Sequence, residues 1–242
     1  MSMRILLSGA SGRIGRQIEA LVDDLPDASI AARATRAAFF ADGAAGDVLI
    51  DFSRPALCRA SVAYAAERGI PCVVGTTGLD AKAMSDVEAA ARRVAVCSAA
   101  NFSVGVNLLL ALVEHASARL GEAFDVEIAE VHHRWKVDAP SGTALALGRA
   151  VARGRGMPEE RAVAEPRREA RKPGEIGYQS ARGGDVAGEH AVRFLGDDER
   201  IELAHVAGDR AVFARGALRA ARWVVGQPPG RYGMSDVLAA ET

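Results

Sequence analysis

A glycine-rich turn near the start of the chain constrains the fold more than any other stretch. Gly9, Gly12 and Gly15 have the spacing GxxGxxG and follow the short apolar run at residues 4–7. The segment after them repeats apolar side chains at helical spacing, at Ile14, Ile18, Leu21 and Val22. The sequence therefore predicts a strand, a tight turn and a helix in immediate succession.

The alternation of short apolar strands and helices continues through the first hundred residues. Strands are predicted at residues 47–52, 71–78 and 94–103, and helices at residues 56–69 and 82–93. This order predicts an α/β fold, a Rossmann-type doubly wound parallel sheet with helices on both faces.

The pattern changes after Phe102. A long apolar helix is predicted at residues 105–120, then an alternating strand at 125–133 and a second helix at 143–154. Three later segments read as antiparallel strands before a closing helix at 217–226; they are residues 191–196, 199–208 and 210–216. The charged, proline-bearing stretch 158–174 is predicted to be a mobile surface loop. We expect a second, α+β region here.

Charge and composition exclude several classes of function. The 242 residues carry 30 Lys and Arg against 31 Asp and Glu, so no overall field would attract nucleic acid or an acidic membrane surface. No run of 18 apolar residues and no signal peptide occurs, so we expect a cytoplasmic protein. Cys58, Cys72 and Cys97 are far apart and odd in number, which favours reduced thiols over disulfides or zinc.

The glycine turn has the setting in which a dinucleotide pyrophosphate rests on the free N–H groups of a helix start. A turn that binds no ligand is the alternative, but its place at the head of a series of strand–helix units favours a cofactor. An acidic residue about twenty positions later usually binds the ribose hydroxyls. The predicted second strand instead carries Arg33 and Arg36, which suit a 2′-phosphate, so we expect NADPH to be accepted. Either arginine could instead be a solvated surface charge.

A second group of candidate binding and proton-donating side chains lies in the stretch EVHHRWKVDAPSGTA, residues 130–144. Ser141, Gly142 and Thr143 begin a predicted helix, whose first-turn N–H groups bind carboxylate or phosphate. His132 and Lys136 share a face in a strand or a helix, whereas His133 has the opposite parity and joins them only if the strand ends there. The segment predicts a small anionic ligand and two proton donors. A zinc site is the competing interpretation, but no third and fourth ligand is visible, so no metal is expected.

The same stretch closely resembles the signature of the 4-hydroxy-tetrahydrodipicolinate reductase (dihydrodipicolinate reductase) family of the diaminopimelate and lysine pathway. Further matches follow in the same order along nearly the whole chain: GASGRIGRQ, IDFSRP, VVGTTG, AANFSVGVN, ARGGDVAGEH and GMSDVL. The resemblance implies reduction of 4-hydroxy-tetrahydrodipicolinate with NADPH or NADH and loss of water, giving tetrahydrodipicolinate. The ligand predicted above would then be a small cyclic dicarboxylate.

The resemblance also implies a domain plan and a set of site residues. Residues 1–102 and the tail 211–242 would bind the dinucleotide, and residues 103–210 would form a substrate domain whose mixed sheet often supports a homotetramer. His132 matches the catalytic acid and Lys136 a second proton donor. Substrate contacts are implied for His133, Ser141, Gly142, Thr143 and, less directly, the hinge-region Arg210. Cofactor contacts are implied for Gly9, Ala10, Ser11, Gly12, Arg13, Ile14, Gly75, Thr76, Thr77, Ala99, Ala100, Asn101 and Phe102.

Two other functions are compatible with parts of this pattern. A related two-domain nicotinamide dehydrogenase could act on another small imino or amino acid, but the His-His-x-x-Lys and Ser-Gly-Thr signature favours the reductase. A non-catalytic NAD(P) redox sensor would be expected to lack that signature, which is intact. One departure concerns the cofactor, because only about ten residues separate the second and third predicted strands, and the region around the adenosine ribose looks truncated.

Overall fold

The computed structural model describes residues 2–162 and 169–240. The chain forms two compact units. The first runs to Val104 and resumes at Arg210, and the second comprises Gly105–Asp209. Each unit contains its own sheet and its own hydrophobic core.

The first unit is built on a six-stranded sheet in which every neighbouring pair is parallel. In spatial order its strands are β10 (Gly230–Tyr232), β5 (Ala95–Ser98), β4 (Cys72–Val74), β3 (Val48–Asp51), β1 (Met3–Ser8) and β2 (Ala28–Ala34). The helices of the unit are α1 (Arg13–Asp23), α2 (Pro55–Arg68), α3 (Ala81–Ala91), α6 (Ala211–Val224) and α7 (Met234–Ala239). Parallel strands joined by helices confirm the predicted Rossmann-type α/β class.

Alternation along the strands explains why helices cover both faces of this sheet. Ile5 and Leu7 of β1 point into the core formed with α1 and α6, whereas Leu6 points into the core formed with α2 and α3. All three side chains are fully buried. Because the strands are apolar on both faces, a single helical layer would leave half of these side chains in water.

The segment 210–216 is not a strand, as its short alternating pattern predicted, but the start of α6. Ala211, Ala214, Ala217 and Leu218 recur at helical spacing and are buried against the sheet. The tail then adds β10 beside β5 in parallel register. In this stretch the helical period, which extends over fourteen residues, outweighs an alternation that extends over only a few.

The second unit contains a four-stranded mixed sheet, as the family resemblance implied. In spatial order its strands are β7 (Ile176–Arg182), β6 (Asp125–His132), β8 (Gly188–Leu195) and β9 (Arg200–Ala207). The pair β6–β7 is parallel, and the other two pairs are antiparallel. Two helices, α4 (Val104–Leu120) and α5 (Gly142–Gly154), bury apolar side chains against one face of this sheet.

The segment before β7 falls partly outside the described residues. Of the predicted loop 158–174, residues 163–168 lie outside the description, and the sequence did not predict the strand that follows. Arg171 is described, and it bonds to Asp125 and Glu127 at the start of β6. This end of the stretch is therefore tied to the sheet by ion pairs.

Candidate functional site

The glycine turn of the first unit can be built only from glycine at two positions. Gly9 has φ +83°, and a Cβ on it would lie 2.2 Å from the carbonyl oxygen of Phe52. A Cβ on Gly15 would lie 2.3 Å from the carbonyl oxygen of Gly9. Gly12 is the N-cap of α1 and offers no side-chain oxygen to the first-turn N–H groups. The turn thus brings the backbone close to β3 and leaves a helix start open to an anion.

A cavity of about 720 Å³ lies beside this turn. It is lined by Gly9, Ser11, Gly12, Thr35, Arg36, Ala37, Ala38, Phe39, Phe52, Ser53, Arg54, Ala56, Leu57 and Ala60. We call it the glycine-loop cavity. The segment after β2, which looked truncated in the sequence, supplies one of its walls. Apolar, backbone and cationic groups together suit a nucleotide, so these residues fit a dinucleotide cofactor.

The structure separates the two arginines that the sequence singled out. Arg36 lines the glycine-loop cavity together with Arg54, and neither guanidinium makes an ion pair with any described residue. Arg33 does not line the cavity, and its Nε lies 2.5 Å from Oε1 of Glu19. Arg54 was not selected from the sequence, although it stands in the quoted motif IDFSRP.

The other residues expected to contact the cofactor differ in what they can offer. The hydroxyl of Thr76 donates to Oδ1 of buried Asp51 at 2.5 Å and accepts from the Ser53 amide at 2.8 Å, so it holds two loops together. The Phe102 side chain is 1% exposed and packs in the core. Gly75, Thr77, Ala99, Ala100 and Asn101 lie in the loops after β4 and β5, at the same sheet edge as the glycine turn. Ala10 is buried, and Arg13 and Ile14 open α1.

In the second unit, β6 ends at His132 and His133 lies just beyond it. This is the condition under which both histidines can face one ligand. Lys136 closes a turn by donating its amide to the carbonyl of His133 at 3.1 Å. Its Nζ lies 2.8 Å from Oδ1 of Asp138, a partner that the sequence analysis did not anticipate. Among the described residues, no group of three His, Cys, Asp or Glu side chains could hold a metal.

The start of α5 is the second part of this candidate site. Ser141 is the N-cap, and its Oγ accepts the amide of Ala144 at 3.1 Å. Gly142 is exposed, and nothing lies within 4 Å of where its Cβ would be. The cap serves one N–H group of the first turn, and Gly142 leaves room for a ligand to approach the others together with the Thr143 hydroxyl. Arg210, the remaining candidate, belongs to the first unit, where it directly precedes α6.

Glu130 is a buried carboxylate that the sequence analysis missed as a site residue. Its Oε2 lies 2.6 Å from Nδ1 of His132, and its two oxygens each accept one Nη of Arg182 at 2.8 Å. Oε1 also accepts the amide of Ser141 at 3.2 Å. Burial acts to raise the pKa of Glu130, but hydrogen bonds from Arg182, Ser180 and His132 outweigh it and lower the pKa to about 2. The carboxylate is therefore ionised at neutral pH.

A signal for Glu130 was present in the sequence. In β6, Val126 and Ile128 alternate onto the buried face, and Glu130 and His132 continue on that same face. A glutamate that lies on the same strand face as core residues is buried with them, so its carboxylate needs charged or hydrogen-bonding partners. Arg182 lies beside His132 in the register of β6 and β7, a neighbour that only the tertiary structure reveals.

His190 of β8 completes what we call the Glu130 cluster: Glu130, His132, Ser141, Arg182 and His190. Its Nε2 lies 3.1 Å from Oγ of Ser141, and its ring packs edge-on against that of His132 with centroids 5.1 Å apart. Burial, reinforced by the charge of a protonated His132, lowers the pKa of His190 to about 4. A neutral His190 can accept a hydrogen bond from the hydroxyl of Ser141 and so hold the N-cap of α5 in place.

These features define a class of protein. A dinucleotide-type glycine turn on a parallel sheet, with a cluster of proton-donating side chains on a separate α+β unit, is the arrangement of a two-domain nicotinamide-dependent oxidoreductase.

Comparison with known proteins identifies the family. Residues 105–238 match the family described as dihydrodipicolinate reductase, C-terminus, and residues 35–102 match its N-terminus. Proteins named 4-hydroxy-tetrahydrodipicolinate reductase from Rhodopseudomonas palustris strain TIE-1 and Thiobacillus denitrificans are 43% and 44% identical to the chain. Each alignment covers 98% of this chain, and 97% and 99% of the respective relatives. The chain belongs to the dihydrodipicolinate reductase family.

The fold agrees with that assignment. A solved structure of dipicolinate-bound dihydrodipicolinate reductase from Paenisporosarcina sp. TG-14 superimposes with a TM-score of 0.77. The superposition covers 98% of this chain and 99% of that chain at 21% sequence identity.

The burial of neutral His190 predicts an acid-sensitive step in stability. The unfolded chain takes up a proton near pH 6.5, whereas folded His190 does so only near pH 4, so stability falls as pH drops through this window. We expect protonation of His190 to lower the free energy of unfolding by about 3 kcal/mol as the pH falls from 6.5 to 4. Urea unfolding from pH 7 to pH 4 should show a flatter profile for His190→Gln than for the wild type.

Exposed His115 supplies the control for this prediction. The His115→Gln variant should keep the wild-type pH profile, since no burial cost is removed. Identical profiles for His190→Gln and the wild type would contradict the assigned role of burial.

Proposed function

We propose that the chain reduces 4-hydroxy-tetrahydrodipicolinate to tetrahydrodipicolinate with loss of water, in the diaminopimelate and lysine pathway. The cofactor is NADPH or NADH. The observation that carries the proposal is the joining of His132 and Ser141 through Glu130, which brings an imidazole next to a helix start. The family match over nearly the full chain supplies the substrate.

The arrangement of charges suits a cyclic dicarboxylate. We infer that one carboxylate rests on the first-turn N–H groups of α5, at Gly142 and Thr143, and that the other is bound by His133 and Lys136. In the free protein the ammonium group of Lys136 forms an ion pair with the exposed carboxylate of Asp138. The lysine must therefore give up this ion pair when it binds the substrate. Such an exchange costs little, because an ion pair in contact with water has a small net free energy.

Protonation of the substrate is the task of this unit. The nicotinamide, when bound, supplies the hydride. We infer that His132 acts as the general acid that protonates the neighbouring ring carbon, because its side chain is 12% exposed and its Nδ1 is already bonded. Lys136 neutralises substrate charge and serves as a second donor.

The alternatives fit the observations less well. A redox sensor has no use for an acid paired with a buried carboxylate. Another dehydrogenase of the same fold would need a different set of polar groups around its own substrate. The match of both family segments, including the strand and helix that hold His132 and Ser141, favours the reductase.

Cofactor preference follows from the glycine-loop cavity. We infer that Arg36, with Arg54 nearby, binds the 2′-phosphate of NADPH, while Arg33 is occupied by Glu19. Thr35 stands in the cavity wall, and no acidic residue among those lining the cavity would repel a phosphate or select the free ribose hydroxyls.

We further propose a cytoplasmic homotetramer. The face of the mixed sheet opposite α4 and α5 carries small apolar side chains: Ala129, Val131, Ala191, Ala204 and Val206. Val206 is 65% exposed. Ala129, Ala191 and Ala204 lie side by side across the sheet, and Val131 and Val206 flank Glu189 in the next row. An apolar row on an open sheet face favours association with identical copies. No helix in the described part of the chain is both long and apolar enough to span a bilayer.

The reaction is tested by following NADPH and NADH oxidation at 340 nm, with the substrate formed in the cuvette from pyruvate and aspartate semialdehyde by its synthase. We expect oxidation that depends on the synthase. His132→Ala should lower kcat by about 10²- to 10⁴-fold, the usual contribution of a general acid. His115→Ala, at an exposed position of α4, is the control and should keep wild-type rates. A folded wild-type protein that binds cofactor but oxidises none would overturn the assignment.

The role of Arg36 is tested by paired arginine variants. Arg36→Ala should weaken NADPH binding by about tenfold or more, since a charged hydrogen bond contributes about 1.5–3 kcal/mol. It should leave NADH binding nearly unchanged. Arg33→Ala is the matched control. Arg33 is three positions before Arg36 but forms an ion pair with Glu19, so its loss should alter neither the NADPH nor the NADH affinity. Equal losses in the two variants, measured by fluorescence titration, would refute the assignment.

The subunit interface is tested by placing a charge on the open sheet face. Val206→Glu should lower the sedimentation coefficient to that of a smaller species, because a buried unpaired carboxylate opposes association. Val225→Glu, at an exposed position 45% accessible at the end of α6, is the control. A wild-type protein that sediments as a monomer, or a Val206→Glu variant that stays tetrameric, would remove this proposal.

A further inference from the structure

Strand β6 carries an ionised side chain on the face that the rest of the strand uses for the core. Glu130 has a fully buried side chain and follows Val126 and Ile128 on that face. Burying an ion is expensive, and such groups are kept when several donors surround them. Glu130 has these donors, and two of them belong to the proposed reaction site.

The contact with His132 fixes the state of the imidazole. A carboxylate can only accept, so Nδ1 of His132 must carry a hydrogen toward Oε2 at 2.6 Å. The second ring nitrogen, Nε2, is then the atom available for proton transfer. Nε2 lies close to Gly188, where a Cβ would be 3.0 Å from it, so a side chain at position 188 would press against this nitrogen.

Arg182 fixes the carboxylate in turn. Its two Nη atoms bond to the two oxygens of Glu130 at 2.8 Å, a bidentate arrangement that prevents rotation of the carboxylate. Nη2 also donates to the carbonyl of Asp138 at 2.6 Å, which ties the loop that carries Lys136 to the same group.

The second oxygen of Glu130 connects this arrangement to α5. Oε1 accepts the amide of Ser141, the N-cap residue of the helix start expected to bind a substrate carboxylate. One side chain therefore sets the position of the proton donor relative to the anion site. No other acidic side chain in the described residues touches both His132 and Ser141.

We propose that Glu130, locked by Arg182, is the positioning residue of the reaction: it holds His132 with Nε2 toward the substrate and in register with the start of α5. This rests on the proposed function, since it assigns His132 as the acid. During turnover the Nε2–H bond of the imidazolium breaks as a C–H bond forms on the substrate, and the Nδ1–H bond to Glu130 persists. Glu130 remains a carboxylate throughout.

The tautomer of His132 in the wild-type protein tests the proposal without any change at Glu130. At a pH where His132 is neutral, its ¹⁵N spectrum should show the Nδ1–H tautomer, with the signal assigned by its loss in His132→Gln. The Nε2–H tautomer is the commoner form of a free histidine, so this observation is distinctive. Finding His132 in the Nε2–H form would overturn the proposal even if every Glu130 variant failed to fold.

The activity test uses two substitutions at Glu130. Glu130→Gln supplies an acceptor at only one of the two oxygen positions, so either His132 or Ser141 loses its partner. We expect kcat to fall about 10²-fold or more, with little change in the KM for NADPH, and the tautomer signal to shift. Glu130→Asp keeps the charge and should recover part of the lost rate and of the Nδ1–H signal. A purely structural role would lower the melting temperature of both variants without moving the tautomer.

A matched control for the Glu130 variants is available on α4. Glu114→Gln also removes a carboxylate bonded to an arginine, Arg153, but on α4, and should leave kcat within about twofold. If Glu130→Gln is folded and keeps its kcat while His132→Ala is inactive, the positioning role is wrong and the reductase assignment stands. If His132→Ala is also fully active, the proposed acid itself is wrong.

Discussion

The buried carboxylate of Glu130 is the interaction on which the second unit depends. It accepts hydrogen bonds from His132, Arg182 and Ser141, so it joins the end of β6, the end of β7 and the start of α5. Moving a charged group from water into a protein interior costs free energy, and only ion pairing and hydrogen bonding compensate for it. The buried carboxylate would therefore destabilise the fold without these donors. The positions of the His132 imidazole and of the start of α5 are therefore both set by one group.

The first unit relies on close backbone contacts at its glycine turn. Gly9 and Gly15 approach neighbouring backbone atoms so closely that no side chain fits, and this places the open N-terminus of α1 against the glycine-loop cavity. Parallel strands bring the loops after β1, β3 and β4 to the same edge, where Thr76 and Asp51 hold two of them together. The start of α1, Arg36 and Arg54 therefore lie around one cavity.

Partners in the tertiary structure decided which of several similar residues is available for function. Arg33 and Arg36 are equally plausible in the sequence, but a contact with Glu19 occupies the first while the second faces the cavity. Lys136 was expected to serve as a second proton donor, and in the structure its Nζ contacts Asp138, two positions along the chain. The segment 210–216 alternates like a strand, yet its apolar residues complete the helical face of α6. Glu19 is 14 positions from Arg33, and the helical pattern of α6 is longer than the stretch 210–216, so neither outcome was evident from a few adjacent residues.

The sequence by itself determined the α/β class of the first unit, the glycine turn, the helix start at Ser141 and the segment containing His132, His133 and Lys136. These follow from local patterns, since strand and helix periodicity, glycine spacing and capping residues act over a few neighbouring positions. Only the tertiary structure decided that Arg182 lies against Glu130, that His190 supports Ser141, and that Arg36 and Arg54 share a cavity. Those pairs are 52, 49 and 18 positions apart by subtraction of their residue numbers, and strand register and sheet order, which no local pattern encodes, bring them together.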